Sequence, residues 1–103
     1  MDNKASYRGW DIWLEGDKVG THIVDAWQDN ALKVVSQTPL KQNEWTHICL
    51  TYDGSKKARG VKIYYNGKPQ PVNIAADRLQ GTIRTSVPFK IGQRSDNQKL
   101  QFM

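Results

Sequence analysis

Apolar residues in this chain tend to recur at every second position, and turn-forming residues break the alternation about every ten residues. A chain patterned this way builds its core from short strands, because an amphipathic helix needs a different period. Trp10, Ile12 and Leu14 share one side of an extended segment, and Asp11, Trp13 and Glu15 share the other. Gly16-Asp17 reads as a turn, so Lys18 to Val24 returns as the second strand of a hairpin. Asp25 to Asn30 is polar around Trp27 and reads as a loop. Ala31 to Ser36 carries the β-branched pair Val34-Val35 and reads as a third strand. Pro39 interrupts it, and Gln42-Asn43-Glu44 turns into the next element.

From Trp45 to Tyr52 the residues are β-branched, aromatic or apolar without Gly or Pro, the composition of a central strand that ends at Asp53-Gly54. Val61 to Tyr65 follows a basic loop and leads into Asn66-Gly67, the strongest hairpin signal in the chain, since a type I′ turn needs positive φ at both positions. Lys68 to Ile74 is expected to return antiparallel. Pro69 and Pro71 lack backbone donors, which puts that return at an edge or delays its start. Val87 to Gly92 reads as a further strand, and Lys99 to Met103 as the beginning of another. The pattern predicts an all-β, antiparallel β-sandwich.

A chain of 103 residues makes one domain, residues 1–103. Its apolar content of 38% with 24% charged residues is that of a soluble globular protein, so disorder and membrane insertion are both disfavoured. No basic start followed by an apolar stretch marks a secretory leader, and we expect a piece cut from a longer chain. Cys49 is the single cysteine and cannot form an internal disulfide. The net charge of +5 invites a polyanion or nucleic-acid reading. The cations are scattered, however, and cluster only at Lys56, Lys57, Arg59 and Lys62 with no aromatic platform among them. That pattern disfavours nucleic acid and leaves a solvated turn or a phosphate- or sulfate-binding loop.

Three runs carry a resemblance: Asn43-Glu44-Trp45-Thr46-His47-Ile48, Thr51-Tyr52-Asp53-Gly54-Ser55, and Gly60-Val61-Lys62-Ile63-Tyr64-Tyr65-Asn66-Gly67. They resemble the core signature of laminin G-like domains in the concanavalin A-like lectin/glucanase superfamily. His22 to Trp27, Asn30-Ala31-Leu32 and Ile91-Gly92-Gln93-Arg94 are similar to the version found in large exported bacterial proteins with c-type cytochrome-like regions. The resemblance covers about residues 7 to 103 and implies a jelly roll, an extracytoplasmic location within a larger protein, and calcium in some relatives. Family members usually carry further strands before and after the matching span. The expectation is therefore a sandwich incomplete at both ends, with exposed sheet edges open to self-association.

Catalysis finds little support. Glucanases of the superfamily use a Glu-x-Asp-x-x-Glu pattern, which is absent here. Asp11 and Glu15 share a strand face but stand about 13 Å apart along it, beyond the roughly 5 to 9.5 Å that glycoside hydrolysis uses. No Ser-His-Asp order, phosphate loop or haem-binding spacing is present, so no catalytic residue is assigned and the chain is read as a non-enzyme. His47 and Cys49 lie two apart on one strand face, short of a zinc set, and read as a buried cysteine beside a hydrogen-bonded histidine. Asp25, Asp29 and Asn30 offer hard oxygens for calcium in one loop, with an ordinary turn as the plainer reading. No other cofactor is expected.

The aromatic residues point to binding. Trp10 and Trp45 sit among apolar neighbours and read as core. Trp13 shares its face with Asp11 and Glu15, where a core indole would bury two carboxylates. An indole plane flanked by hydrogen-bonding groups suits a sugar ring, and Trp27 with Asp29 and Asn30 offers the same combination. The candidate carbohydrate-binding set is therefore Asp11, Trp13, Glu15, Trp27, Asp29 and Asn30. The plainer alternatives have Trp13 covering a second sheet and Trp27 plugging the end of the sandwich. Three functions follow: a glycan- or glycoconjugate-binding module, a structural domain that packs against neighbours in its parent protein, and polyanion binding through the basic loop.

Overall fold

A computed structural model describes residues 1–92 of the chain. Among the described residues seven strands form two antiparallel sheets: β1 Gly9–Glu15, β2 Lys18–Ala26, β3 Asn30–Ser36, β4 Ile48–Tyr52, β5 Val61–Tyr65, β6 Lys68–Pro69 and β7 Val72–Asp77. The first sheet has the order β1-β2-β3-β7 and the second β4-β5-β6. Short 3-10 turns at Asn3–Ala5 and Ala58–Gly60 are the only helical segments among the described residues, and none of the described helices is long and apolar enough to cross a membrane.

The turns set the registers. Gly16 has φ +66 at the first central position of the β1–β2 loop, where a two-residue hairpin turn of the primed kind calls for glycine. The turn pairs Glu15 with Lys18, and from there Trp13 with Gly20 and Asp11 with His22. Asn66 and Gly67 both have positive φ, 52° and 80°, as type I′ geometry requires, and they pair Tyr65 with Lys68.

The core lies between the sheets. Val19, Ile23, Leu32 and Val34 from the first sheet meet Val61, Ile63 and Tyr65 from the second, and Ala58 and Leu79 belong to the same buried cluster. A buried polar tie joins the layers. Ser36 accepts from the Val19 amide, bonds the Tyr65 hydroxyl, and shares the Thr38 carbonyl with it.

Several expectations change. The strand expected from Trp45 begins only at Ile48, because the Asn66 side chain accepts from the His47 amide and the His47 carbonyl accepts from the Asn66 amide, which closes the pairing there. That strand is an edge of the second sheet rather than its centre. The return from Lys68 splits at Gln70-Pro71: two residues pair with β5, and β7 crosses to pair with β3. Val87 to Gly92 forms no strand. Pro88 removes a ladder donor there. The expected strand at Lys99 to Met103 lies outside the described residues.

The tryptophans read as core are not core. Trp45, in the segment that leaves the sheet, is fully exposed. Trp10 does point to the core side of the first sheet but is 44% exposed, with Ile12 at 49% and Leu14 at 50%. Among the described residues three strands face four, and β1 is an outer strand of the wider sheet. Cys49 is only half-buried and His47 is exposed, so the buried pair expected at these positions does not form.

Candidate functional site

The hairpin register brings Asp11, Trp13 and Glu15 onto the face of the first sheet that points away from the second. Trp13 lies over its cross-strand partner Gly20, and the fit is close: a Cβ built on Gly20 would stand 2.5 Å from the indole. Glycine at position 20 thus lets the ring lie against the backbone. Beside it the His22 imidazole stacks on Trp13, centroids 4.1 Å apart at an interplanar angle of 15°. Trp27 meets the same imidazole edge-on at 4.8 Å and 83°. The two tryptophans that the sequence suggests as platforms therefore come together across one histidine.

Asp11 organises that histidine. Its carboxylate lies 2.9 Å from His22 Nδ1 and also accepts from the His22 backbone amide at 2.9 Å. Both side chains are about nine-tenths buried, at 10% and 11% exposure. A buried carboxylate of this kind needs its partners, and Asp11 has them. The Asp11 backbone carbonyl accepts from the hydroxyl of Thr21, the partner of Ile12, which ties this rung to the next. On the next strand Lys33, the register partner of His22, reaches Glu15 at 3.2 Å and stands 5.4 Å from the Trp13 ring centroid.

The residues expected in one loop divide, because Asp25 lies within β2 and Asn30 opens β3, which leaves only residues 27–29 as the turn. Asp25 holds Arg8 at 3.1 Å and accepts from the Asn30 amide at 3.1 Å. The Asn30 carbonyl oxygen accepts from the backbone amides of Gln80 and Gly81. Gly81 has to be glycine in this arrangement, since a Cβ there would run into the Asp25 carboxylate. Both residues hold the segment at 80–81 against the sheet. Asp29 is exposed in the turn between β2 and β3. Among the described residues no group of three or more His, Cys, Asp or Glu side chains could hold a metal ion.

The basic cluster sits elsewhere. Lys62 lies on the outer face of the second sheet, and Lys56, Lys57 and Arg59 belong to the loop preceding it. Lys56 donates to the Gln80 carbonyl at 3.1 Å. In the same loop the Ser55 hydroxyl, then the Ser55 backbone amide, hold the Asp53 carboxyl below the ordinary carboxylate range, with Arg59 adding to the effect.

His22, Gly20 and Lys33 are the participants that reading the sequence missed. The signal for the first two was present: a two-residue turn at Gly16-Asp17 makes paired residue numbers sum to a constant, which sets His22 opposite Asp11 and Gly20 opposite Trp13. A family model described as the concanavalin A-like lectin/glucanases superfamily, of the laminin G type, matches residues 1–102. No curated protein and no solved structure matches the chain.

Proposed function

The chain belongs to the concanavalin A-like lectin/glucanase superfamily, and we propose that it is a non-catalytic carbohydrate-binding module whose ligand rests on the outer face of β1, β2 and β3. The observation that carries this reading is the convergence of Trp13 and Trp27 on His22, with Asp11, Glu15 and Lys33 around them. Aromatic planes take the C–H face of a pyranose, and the ionic side chains fix its hydroxyls.

Each residue has its own part. Trp13, packed against Gly20 and stacked with His22, is the aromatic centre of the site, and the exposed part of Trp27 supplies the plane. His22, oriented through Nδ1 by Asp11, supplies a rigid edge. Glu15, 53% exposed, and Lys33, 23% exposed, offer charged hydrogen-bonding groups within reach of solvent. Calcium has no part in this reading, because Asp25 and Asn30 already engage Arg8, one another and two backbone amides. The module acts within a larger exported protein, a setting that rests on the sequence resemblance alone.

A glycan array with the wild-type chain tests the proposal, with Trp13→Ala and Trp27→Ala as controls. Retention of one glycan class by the wild type and its loss in both variants is the expected result. A wild type that retains no glycan overturns it. Polyanion binding through Lys56, Lys57, Arg59 and Lys62 predicts a different outcome, heparin retention at low salt that disappears when those four are changed.

A further inference from the structure

The Asn66-Gly67 turn sets a nucleophile beside an electrophile. Tyr65 pairs with Lys68 across it, so the peptide joining Asn66 to Gly67 stands at the tip of the hairpin. Among the described residues neither the Asn66 carbonyl nor the Gly67 amide takes part in a hydrogen bond. Both residues are exposed, and a Cβ built on Gly67 would meet nothing within 4 Å. The Gly67 nitrogen therefore has neither a side chain of its own nor a neighbour to shield it. The Asn66 carboxamide is held at one end only. Its Oδ1 accepts from the His47 amide at 2.9 Å, and its Nδ2 donates to no group among the described residues.

Each of the other described asparagines lacks part of this arrangement. Asn30 is held at both ends, its Nδ2 by Asp25 and its Oδ1 by the amides of Gln80 and Gly81. Asn73 lies within β7, accepts from the Gln37 side chain and precedes the β-branched Ile74. Asn3 and Asn43 precede Lys4 and Glu44, whose side chains crowd the nitrogen that would have to attack. Asp53 does precede a glycine, but its carboxyl accepts from the Ser55 amide. The Ser55 hydroxyl, then the Ser55 amide, hold it below the ordinary carboxylate range. It therefore stays ionised, and a carboxylate resists a nucleophile.

We propose that Asn66 is a site of spontaneous covalent modification, and that its main product unfastens His47, just ahead of β4, from the hairpin. Hydroxide takes the Gly67 amide proton, the freed nitrogen bonds to Asn66 Cγ, and the Cγ–Nδ2 bond breaks as Nδ2 takes a proton from water and leaves as ammonia. The His47 amide already stands at the oxygen on which negative charge develops. Water then opens the five-membered imide at either carbonyl. Opening at Cγ leaves aspartate with an ordinary backbone. Opening at the α-carbonyl leaves isoaspartate, whose main chain runs through Cβ and Cγ. That product lengthens a two-residue turn by one backbone carbon and turns the group that faced His47 into main chain. The Tyr65–Lys68 pair and the two bonds between Asn66 and His47 then cannot all persist. Trp13 and His22 belong to the other sheet and are left as they are.

Ageing the folded chain in mildly alkaline buffer tests this, with peptide mapping by mass spectrometry and electron-transfer fragmentation to tell the two products apart. Isoaspartate and aspartate are expected to accumulate at position 66 while Asn3, Asn30, Asn43 and Asn73 keep their amides. The reaction is expected to disappear in Asn66→Gln, where ring closure would need one more atom. Urea below the unfolding transition raises the unfolded fraction but leaves the native turn in place, so the rate should not change. A rate that climbs in step with the unfolded fraction overturns the proposal, as does an Asn66 that stays intact in the folded chain while the urea-unfolded chain converts it. Hydrogen exchange at the His47 amide tests the consequence. Protection is expected in fresh protein and in fresh Asn66→Asp, whose carboxylate still accepts, and its loss in the isoaspartyl fraction. Equal protection in that fraction means that His47 stays fastened, and overturns the proposed effect.

Discussion

The two faces of β1 have the same sequence neighbourhood and opposite fates. On the outer face Asp11 and Trp13 are engaged by His22, Gly20 and the carboxylate–imidazole pair, and Glu15 by Lys33. On the inner face Trp10, Ile12 and Leu14, more apolar and in the same strand, remain about half exposed. Burial therefore follows what lies opposite a residue and not its hydrophobicity. Cross-strand partners from β2 and β3 serve the outer face. The inner face depends on a second sheet that, among the described residues, is one strand narrower.

The contrast can be broken most strongly by truncating inner-face residues that are covered and those that are not. Leu32→Ala, from a fully buried position in the same sheet, is expected to lose about 2 to 5 kcal/mol in urea denaturation. Ile12→Ala is expected to lose less than about 1 kcal/mol in dilute protein. An equal loss at both positions would mean that β1 is covered after all. On the outer face, Gly20→Ala sets a methyl against the Trp13 ring and is expected to lose about 1 to 3 kcal/mol. It should also change the near-ultraviolet circular dichroism as the indole leaves His22.

Asp11→Ala removes the partner of both the His22 ring and the His22 amide, with an expected loss of about 1 to 3 kcal/mol. Asp11→Asn, which keeps an acceptor, should recover part of it. Trp45→Ala, at a fully exposed indole, is expected to change stability by less than about 0.5 kcal/mol and marks the floor of the series. The smallest effect is one of pH. Asp53 has a depressed carboxyl pKa, so its contribution is present above the ordinary value of 3.8 and disappears as pH falls through the lower folded value. The melting temperature of Asp53→Asn should accordingly fall less steeply than that of the wild type below pH 3.8.

Strand positions in the first half of the chain were legible from alternation and turn residues, and β1, β2 and β3 lie close to where those signals put them. The Asn66-Gly67 hairpin was equally plain, since few sequences other than Asn-Gly reach positive φ twice in succession at low cost. Sheet membership was not legible. Nothing local in Lys68 to Ile74 says that the chain leaves one layer for the other at Gln70-Pro71. For the same reason Trp10 and Trp45 read as core: alternation reports that a face is apolar, while coverage depends on the width of a layer built from distant segments. At the candidate site Trp13 and Trp27 were legible as unusual indoles in polar company. Their meeting point, His22, needed the strand pairing to be worked through.

The two-residue link at Gly16-Asp17 fixes which number on β1 faces which on β2. A single residue inserted there would slide the ladder by one step, so that Asp11 would no longer meet His22 and Trp13 would meet a side chain in place of Gly20. A length change in the turn between β2 and β3 leaves those rungs as they are. The site is therefore vulnerable to changes of length at a turn several residues away, even when every one of its own residues is kept. Among variants of this chain, the spacing between positions 15 and 18 should be as diagnostic of an intact site as the presence of Asp11, Trp13 and His22.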